Sequence, residues 1–410
     1  MYDLAIIGAG AAGIAAAKSA LKANLKTLII DQTQESFGGT CLNSGCIPTK
    51  FFINASKQNK SWENSYFKNK EIVKKIKEPL LNFLKGQGVD FIWQKAYFLD
   101  KDTLAVGDKS IKAKNIIIAT GSGPKEIIKH PKVIFAEELF NKKELGNKVL
   151  IIGAGYIGIE CASLLQNFAK KVTLIEKAKT ILPGFDSQLA NRLKIILEKK
   201  GIAINTGQDL SNYNLDDYDL VIQAAGRIPH LESLKITNIG LKLNQDGWIQ
   251  ADSQLRTSLK HIYACGDICG RNLLAYTAEY QAQICIKNIT GIKTEEDYNC
   301  LLKAVFSLPQ IASCGIKEEE VKETNIKYRV IKSNFLKLSS SYVYDDKDGF
   351  IKIIIDQNEK IIGVGIISQK ASELINLFVV CLKNNLSVSD LKKCLFVHPT
   401  ISEIVPLILD

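Results

Sequence analysis

Leu4-Ala-Ile-Ile-Gly8-Ala-Gly10-Ala-Ala-Gly13 opens the chain, and Val149-Leu-Ile-Ile-Gly153-Ala-Gly155-Tyr-Ile-Gly158 repeats it 145 residues later. Each copy is an apolar strand that runs into G-x-G-x-x-G and on into a helix-like run. A second short apolar strand follows, Thr27–Ile30 or Val172–Ile175, and ends in an acid, Asp31 or Glu176. Gly8 to Asp31 and Gly153 to Glu176 are both 23 residues. The first glycine makes the tight turn, the second admits a pyrophosphate to the backbone, and the third lets helix and strand pack closely. The acid then reaches the ribose hydroxyls. One such motif is weak. Two in identical register predict two dinucleotide sites. An acid at the ribose disfavours a 2′-phosphate and so favours NAD over NADP, although Lys177 and Lys179 follow Glu176 closely.

Working outward, Asn115–Thr120 reads as a buried strand ending in Ala119-Thr120-Gly121-Ser122, and Leu220–Ala225 as another ending in Gly226-Arg-Ile-Pro229. The first unit is therefore interrupted by the second and resumes near residue 227. From about 297 the pattern changes to α+β, with strands near 328–335, 350–356 and 360–367 and helices near 369–384 and 387–394. The stretch Ala371–Leu382 is apolar on more than one face, which fits deep burial or a subunit interface. The expected fold is α/β: two Rossmann-like units, one inside the other, and a C-terminal α+β domain. The expected divisions are 1–120 with 227–296, then 121–226, then 297–410.

The sharpest local feature is Gly38-Gly39-Thr40-Cys41-Leu-Asn-Ser-Gly45-Cys46-Ile-Pro48-Thr-Lys50. Two cysteines five apart in a regular helix have Cα atoms roughly 8–9 Å apart, too far for a disulfide. A bridge between Cys41 and Cys46 would need a distorted turn, which Gly45 allows and Pro48 accommodates. A strained bridge is easily reduced, and a nearby helix start and Lys50 would favour a thiolate. Near the end comes His398-Pro399-Thr-Ile-Ser-Glu403. Pro399 suits a first helical position, and a carboxylate on one imidazole nitrogen makes the other a better base. Cys265 and Cys269, around Gly266-Asp267, could form a second dithiol or half a metal site. The histidines at 130, 230, 261 and 398 are scattered, so no metal is expected. Cys161, Cys285, Cys300, Cys314, Cys381 and Cys394 read as core, and His130, His230 and His261 as surface or capping residues.

Composition sets the outer limits. The 410 residues, 46% apolar and 23% charged, make two to four ordinary domains that need no disulfide staples. Lys+Arg 53 against Asp+Glu 43 gives a formal +10, but only Arg192, Arg227, Arg256, Arg271 and Arg329 are arginine. Nucleic-acid readers lean on bidentate arginine, so dispersed lysine reads as solvated surface and no nucleic acid is expected. No apolar run approaches a membrane span. No basic leader precedes the first strand, and ten cysteines without one suggest a cytoplasmic protein.

Taken together, these residues resemble the FAD-dependent pyridine nucleotide–disulfide oxidoreductases, in particular the dihydrolipoamide dehydrogenase branch, over essentially the whole chain. The resemblance implies an FAD site at Gly8, Gly10, Gly13, Asp31, Gly39, Thr40, Lys50, Thr120, Gly121, Ser122, Asp267, Leu274 and Ala275. It implies an NAD site at Gly153, Gly155, Tyr156, Ile157, Gly158, Glu160, Glu176 and Gly226. It makes residues 297–410 a dimerisation domain and Cys41–Cys46 a redox disulfide. His398, held by Glu403, becomes the base supplied to the partner's site in a homodimer. The implied substrate is a dithiol, most simply dihydrolipoamide or a lipoyl group on a carrier protein, as in a 2-oxoacid dehydrogenase complex. An NAD(P)H-dependent, glutathione-reductase-like reductase of another small disulfide is the alternative. A flavin-binding regulatory protein without turnover is a third reading. Departures from the branch are Phe396 where a second histidine is usual, a short segment at 51–70, and a segment at 201–225 too short for the usual antiparallel meander. The tail Ile408-Leu-Asp410 carries no cysteine.

Overall fold

The computed structural model describes residues 1–169 and 171–409; Asp410, named above with the tail, lies outside them. The first sheet has seven strands. Its parallel core runs Asp90–Trp93, Thr27–Asp31, Tyr2–Ile7, Lys109–Ile118 and Ile262–Ala264. The strand expected at 115–120 begins at Lys109 and ends at Ile118. Its first half turns aside to pair antiparallel with Thr103–Val106, which pairs with Ala96–Asp100. The second sheet is parallel throughout, in the order Ile202–Thr206, Lys171–Glu176, Lys148–Ile152, Leu220–Gln223, Val133–Phe135. Among the described residues it contains no antiparallel meander: two short 3-10 turns, Leu210–Asn212 and Leu215–Asp217, fill the space between its last two strands in sequence. Ser122–Pro124 and Arg227–Pro229 pair antiparallel as the two crossings between these sheets.

The duplication holds at the level of single bonds. Leu4 pairs with Thr27, and its counterpart Val149 pairs with Val172. Gly8 N donates to Ile30 O and Gly153 N to Ile175 O, both at 2.8 Å. Ala119 N donates to Ile7 O and Ala224 N to Ile152 O, again at 2.8 Å. A Cβ on Gly8 would lie 2.3 Å from Ala119 O, and one on Gly153 would lie 2.7 Å from Ala224 O. A Cβ on Gly13 would lie 1.9 Å from Gly8 O, and one on Gly158 would lie 1.8 Å from Gly153 O. These are backbone-on-backbone contacts that no side chain could share.

The third sheet is antiparallel: Leu302–Val305, Gln310–Gly315, Ile361–Ser368, Phe350–Asp356, Tyr328–Asn334. Its first two strands were not anticipated. They are short, and polar residues interrupt them. The helix Ala371–Lys383 buries Ala371, Leu374, Ile375, Phe378, Cys381 and Leu382 against the sheet, whereas Val380 is exposed. Buried Lys352, in the strand Phe350–Asp356, reaches Asp186 Oδ2 and Glu318 Oε2, each at 2.5 Å. Asp186 also caps the helix Ser187–Lys199 of the second unit, so a desolvated charge triad joins that unit to the third sheet. Lys322 Nζ also reaches Glu318 Oε1 at 3.1 Å, so the second carboxylate has a cation of its own, as burial requires.

Gly158→Ala should destabilise the protein by about 1–3 kcal/mol, the usual cost of overpacking, because the opposing atom is a backbone carbonyl that cannot rotate away. Thermal unfolding measures this, and an unchanged midpoint would contradict the packing described.

Candidate active site

The site starts at the glycine turns. The helices Ala11–Lys22 and Tyr156–Leu165 have glycine N-caps, Gly10 and Gly155, and neither receives a side-chain cap. Their first N–H groups are thus free for an anion. A Cβ on Gly155 would meet nothing within 4 Å, which leaves room for a pyrophosphate against the backbone. The acids do more than the sequence suggested. Asp31 Oδ2 accepts from Ala9 N at 2.7 Å, and Glu176 Oε2 accepts from Ala154 N at 2.7 Å. Each carboxylate therefore holds its own glycine loop.

The segment that follows Asp31 docks on this loop. Gly38, in the left-handed region, donates its N–H to Ala9 O at 2.8 Å, and a Cβ on Gly39 would lie 2.7 Å from Gly10 Cα. Gly39–Asn43 forms a short helix that includes Thr40 and Cys41, and Cys46–Lys57 forms the next. The chain breaks at Ser44 and Gly45, where a Cβ on Gly45 would lie 3.3 Å from Cys41 Cα. The break folds the two cysteines together, and Pro48 sits in the first turn of the second helix, where its missing N–H costs nothing. The remainder of 51–70, read as a shortened segment, is largely helical: Cys46–Lys57 and then Trp62–Gly86.

Cys41 and Cys46 are both thiols here. The Cys46 thiol donates to the Cys41 sulfur, which lowers the Cys41 pKa below its ordinary value; the donor role and then burial raise that of Cys46. Glu160 lies near Cys46 and accepts from Phe306 N at 3.0 Å. Burial pushes its carboxyl up to about 8, and the Cys46 charge adds to the rise. Burial also pushes the Tyr156 hydroxyl up to about 12. Ile157 follows it, half-buried against the core of the second unit. Lys50 turns to other partners, with its Nζ 4.5 Å from the Phe306 ring centroid and 3.7 Å from Glu373 Oε1.

The crossings bring in the remaining residues. Thr120 Oγ1 donates to His230 O at 2.9 Å, and Gly121 and Gly226 take positive φ at the two bends. Ser122 Oγ donates to Asp267 Oδ2 at 2.6 Å. Arg227, barely exposed, donates to Ser122 Oγ at 2.7 Å, to Ser122 O at 2.6 Å and to Glu137 Oε1 at 2.6 Å. The motif around Arg227 gives no sign of this role, and no local pattern marks Glu137. Leu274 caps the helix Ala275–Ile289 without a side-chain bond, and the buried Thr277 hydroxyl in its first turn has no partner. The uncapped helix starts, the glycine cradle and this orphaned hydroxyl fit a dinucleotide at the first unit.

His398 and Glu403 meet, with Nδ1 2.8 Å from Oε1. Pro399 is not a first helical residue, however. Thr400 is the cap of a 3-10 turn at Ile401–Glu403, and its N–H holds Glu403 Oε2 at 2.8 Å. That bond, and then His398, lower the Glu403 pKa. The pair is not brought to the cysteines within this chain: the His398 side chain is 71% exposed. Cys265, Cys269 and Cys285 are buried near one another, and burial raises Cys269 and Cys285. No cluster that could hold a metal ion occurs among the described residues. Cys394 is exposed and Cys300 half-buried, so neither belongs to the core as expected.

Two dinucleotide folds, one of them carrying a paired dithiol, define a redox enzyme acting through sulfur. The chain belongs to the pyridine nucleotide-disulphide oxidoreductases: that family matches residues 2–282, and its dimerisation domain matches residues 302–407. This family binds FAD and a nicotinamide dinucleotide, NAD(P). The chain is similar to a dihydrolipoyl dehydrogenase of Geobacillus stearothermophilus, at 32% identity over 97% of this chain and 93% of the relative. It is similar to a leghemoglobin reductase of Glycine max at 31%, over 98% and 86%. Among solved structures it resembles the HOCl-induced flavoprotein disulfide reductase RclA from Escherichia coli. There the TM-score is 0.93 and the identity 27%, over 100% of this chain and 99% of that one. No helix among the described residues is long and apolar enough to cross a membrane.

Two outcomes follow. Brief iodoacetamide treatment should label Cys41 ahead of Cys46, which peptide mass spectrometry reads directly. Glu160, with its raised pKa, stabilises the fold most below its unfolded value near 4.5, and that contribution is lost as pH rises toward 8. The thermal midpoint should therefore fall between pH 5 and 8 by several degrees more in the native protein than in Glu160→Gln.

Proposed function

We propose that this protein oxidises a small dithiol, dihydrolipoamide in the first instance, and delivers the electron pair to NAD⁺. The observation that carries this reading is the Cys41–Cys46 pair, set in contact by a broken helix on the loop of the first dinucleotide unit. Gly8, Gly10, Gly13, Asp31, Gly39, Thr40, Thr120, Gly121, Ser122, Asp267, Leu274 and Ala275 would hold FAD, and Lys50 would support its charge. Gly153, Gly155, Tyr156, Ile157, Gly158, Glu160, Glu176 and Gly226 would hold the nicotinamide dinucleotide. The Glu176 carboxylate at the ribose position supports NAD over NADP. On this reading the 1–120 and 227–296 segments form the FAD domain, 121–226 the NAD domain and 297–410 the interface domain.

The dimerisation domain and the exposed His398–Glu403 pair support a homodimer in which each site borrows the partner subunit's His398. In the oxidised protein Cys41 and Cys46 are joined. His398 takes the proton of one substrate thiol, and the resulting thiolate attacks Cys41 Sγ. A mixed disulfide forms, and Cys46 leaves as a thiolate. The second substrate thiol, losing its proton to solvent, closes the substrate disulfide and expels Cys41, which takes back the proton held on His398. Bound FAD supplies the two-electron relay from the reduced pair to NAD⁺. Glu403 fixes the imidazole through Nδ1 and leaves Nε2 as the base. A lipoyl group on a carrier protein, as in a 2-oxoacid dehydrogenase complex, would present such a dithiol. A chain long enough to need no disulfide staples, with eight cysteines beside the Cys41–Cys46 pair, suits the reducing cytoplasm, where we place the protein.

The likeness to the Escherichia coli disulfide reductase favours one second reading: the same sulfurs run in reverse, with NAD(P)H driving reduction of another small disulfide.

The test is NAD⁺ reduction by dihydrolipoamide, with NADP⁺ in parallel. Turnover with NAD⁺ is expected, and its absence, with active NADH-driven reduction of another disulfide, would establish the second reading instead. Cys46→Ser should abolish dithiol turnover. His398→Ala should slow it by about 10²–10⁴-fold and make the residual rate climb with pH, as the substrate thiol ionises unaided.

A further inference from the structure

A cleft of about 330 Å³ lies along one face of the helix Trp62–Gly86. The helix lines it from Asn69 to Leu81, about 18 Å of axis. The facing wall has two sources. Glu35 and Asn43 come from the loop that carries Cys41, and Phe140 and Asn141 come from the second unit. The lining includes neither cysteine of the pair and no glycine of the two cradles, so the cleft is separate from the site described above.

Two neighbouring groups at one end lack partners. Asn69 is only 4% exposed, and its Oδ1 accepts no hydrogen bond. A buried carbonyl oxygen left unpaired carries its full desolvation cost. Lys70 is exposed and pairs with no acid among the described residues; its Nζ lies 4.4 Å from the Tyr66 ring centroid. The other lysines of the lining are engaged. Lys74 Nζ is 3.6 Å from Glu78 Oε1, and Lys77 Nζ donates to Glu35 O at 2.6 Å. Val73, Leu81 and Phe140 supply apolar surface between the two ends.

The position bears on the redox segment. Asn43 donates from Nδ2 to the carbonyls of Ser36, Phe37 and Gly39, and it stands two residues after Cys41. Phe140 lies against Phe52, with ring centroids 5.4 Å apart, and Phe52 shares a helix with Cys46. An occupant would touch two residues that hold that segment in place.

The unmatched pair calls for a hydrogen donor and an acid on neighbouring atoms, followed by an apolar group. An α-amino acid has this order, because its ammonium and carboxylate share one carbon. An ammonium on an amide oxygen is also a charge-assisted bond, stronger than a neutral one. We propose that this cleft binds a single α-amino acid with an apolar side chain. Its ammonium donates to Asn69 Oδ1, its carboxylate faces Lys70, and its side chain lies along Val73 and Phe140. The volume, at the small end of ligand sites, suits one amino acid better than a peptide or a dinucleotide. Lys70 is exposed, so its share is modest and screened by salt. The proposal requires no turnover and stands apart from the dithiol reading.

The test is calorimetric titration of the flavin-loaded protein with L-leucine and L-phenylalanine. Leucinamide, which lacks the carboxylate, and 4-methylpentanoate, which lacks the ammonium, are the controls. At least one amino acid should bind, with one molecule per chain, and raise the thermal midpoint. Against leucine, leucinamide should bind several-fold more weakly and 4-methylpentanoate about tenfold more weakly. Asn69→Leu keeps the side-chain shape, removes the orphaned oxygen and should weaken the amino acid about tenfold. Lys70→Gln, on the exposed side of the helix, should make leucine and leucinamide bind alike, as should about 0.5 M salt in the native protein. No binding of either amino acid would overturn the proposal. So would binding that Asn69→Leu and Lys70→Gln leave unchanged, or 4-methylpentanoate binding as tightly as leucine.

Discussion

A contact between two backbones, with no side chain between them, underlies the whole arrangement. Gly13 lies on Gly8 O, and Gly8 in turn lies on Ala119 O; Gly158, Gly153 and Ala224 repeat the stack. The close approach presses each helix onto its strand and points uncapped N–H groups at one side of the sheet. Everything chemical is then built on that side. Gly38 and Gly39 seat on the loop around Gly10, and their seating fixes where Cys41 starts its short helix. The break at Gly45 returns Cys46 to it. A single methyl group at Gly13 would move the first loop, the redox segment and the cavity beside it together.

One apolar core, which includes Phe52, Trp62, Leu164, Val305 and Ile367, joins the second unit and the third sheet to this frame, and polar links add to it. Arg227 spans Ser122 and Glu137 at the crossings, and Ser122 passes the link to Asp267. Lys352 joins Asp186 and Glu318 farther out. Directional bonds of this kind fix orientation more sharply than apolar contact does. A site assembled from separate units needs that, since a misplacement of about 1 Å already costs substantial rate.

Much of this was legible in the residues. The duplicated glycine motifs, the 23-residue spacing to each acid and the interruption of one unit by the other follow from local pattern, because turns and close helix–strand contacts demand glycine. The cysteine pair and the need for a break at Gly45 were legible for the same geometric reason. Other features were not. Short strands such as Leu302–Val305 and Gln310–Gly315 have too few residues to show a period. Arg227 and Glu137 are 90 residues apart in sequence, and Lys352 and Asp186 are 166 apart. No local pattern announces such pairs. The proline after His398 suggested a helix start that the chain places two residues later, at Thr400, whose N–H is held by Glu403 Oε2.

The sequence by itself determined that there are two dinucleotide folds, that the first is split, and that a dithiol follows its acid. Those properties rest on glycine and on short-range spacing, and sequence records both. Only the tertiary structure decided that each acid also grips its own loop, that Glu160 is desolvated beside Cys46, and that His398 stands exposed, away from the cysteines of its own chain. Burial and convergence depend on which distant segments pack together, and one-dimensional order does not encode them locally.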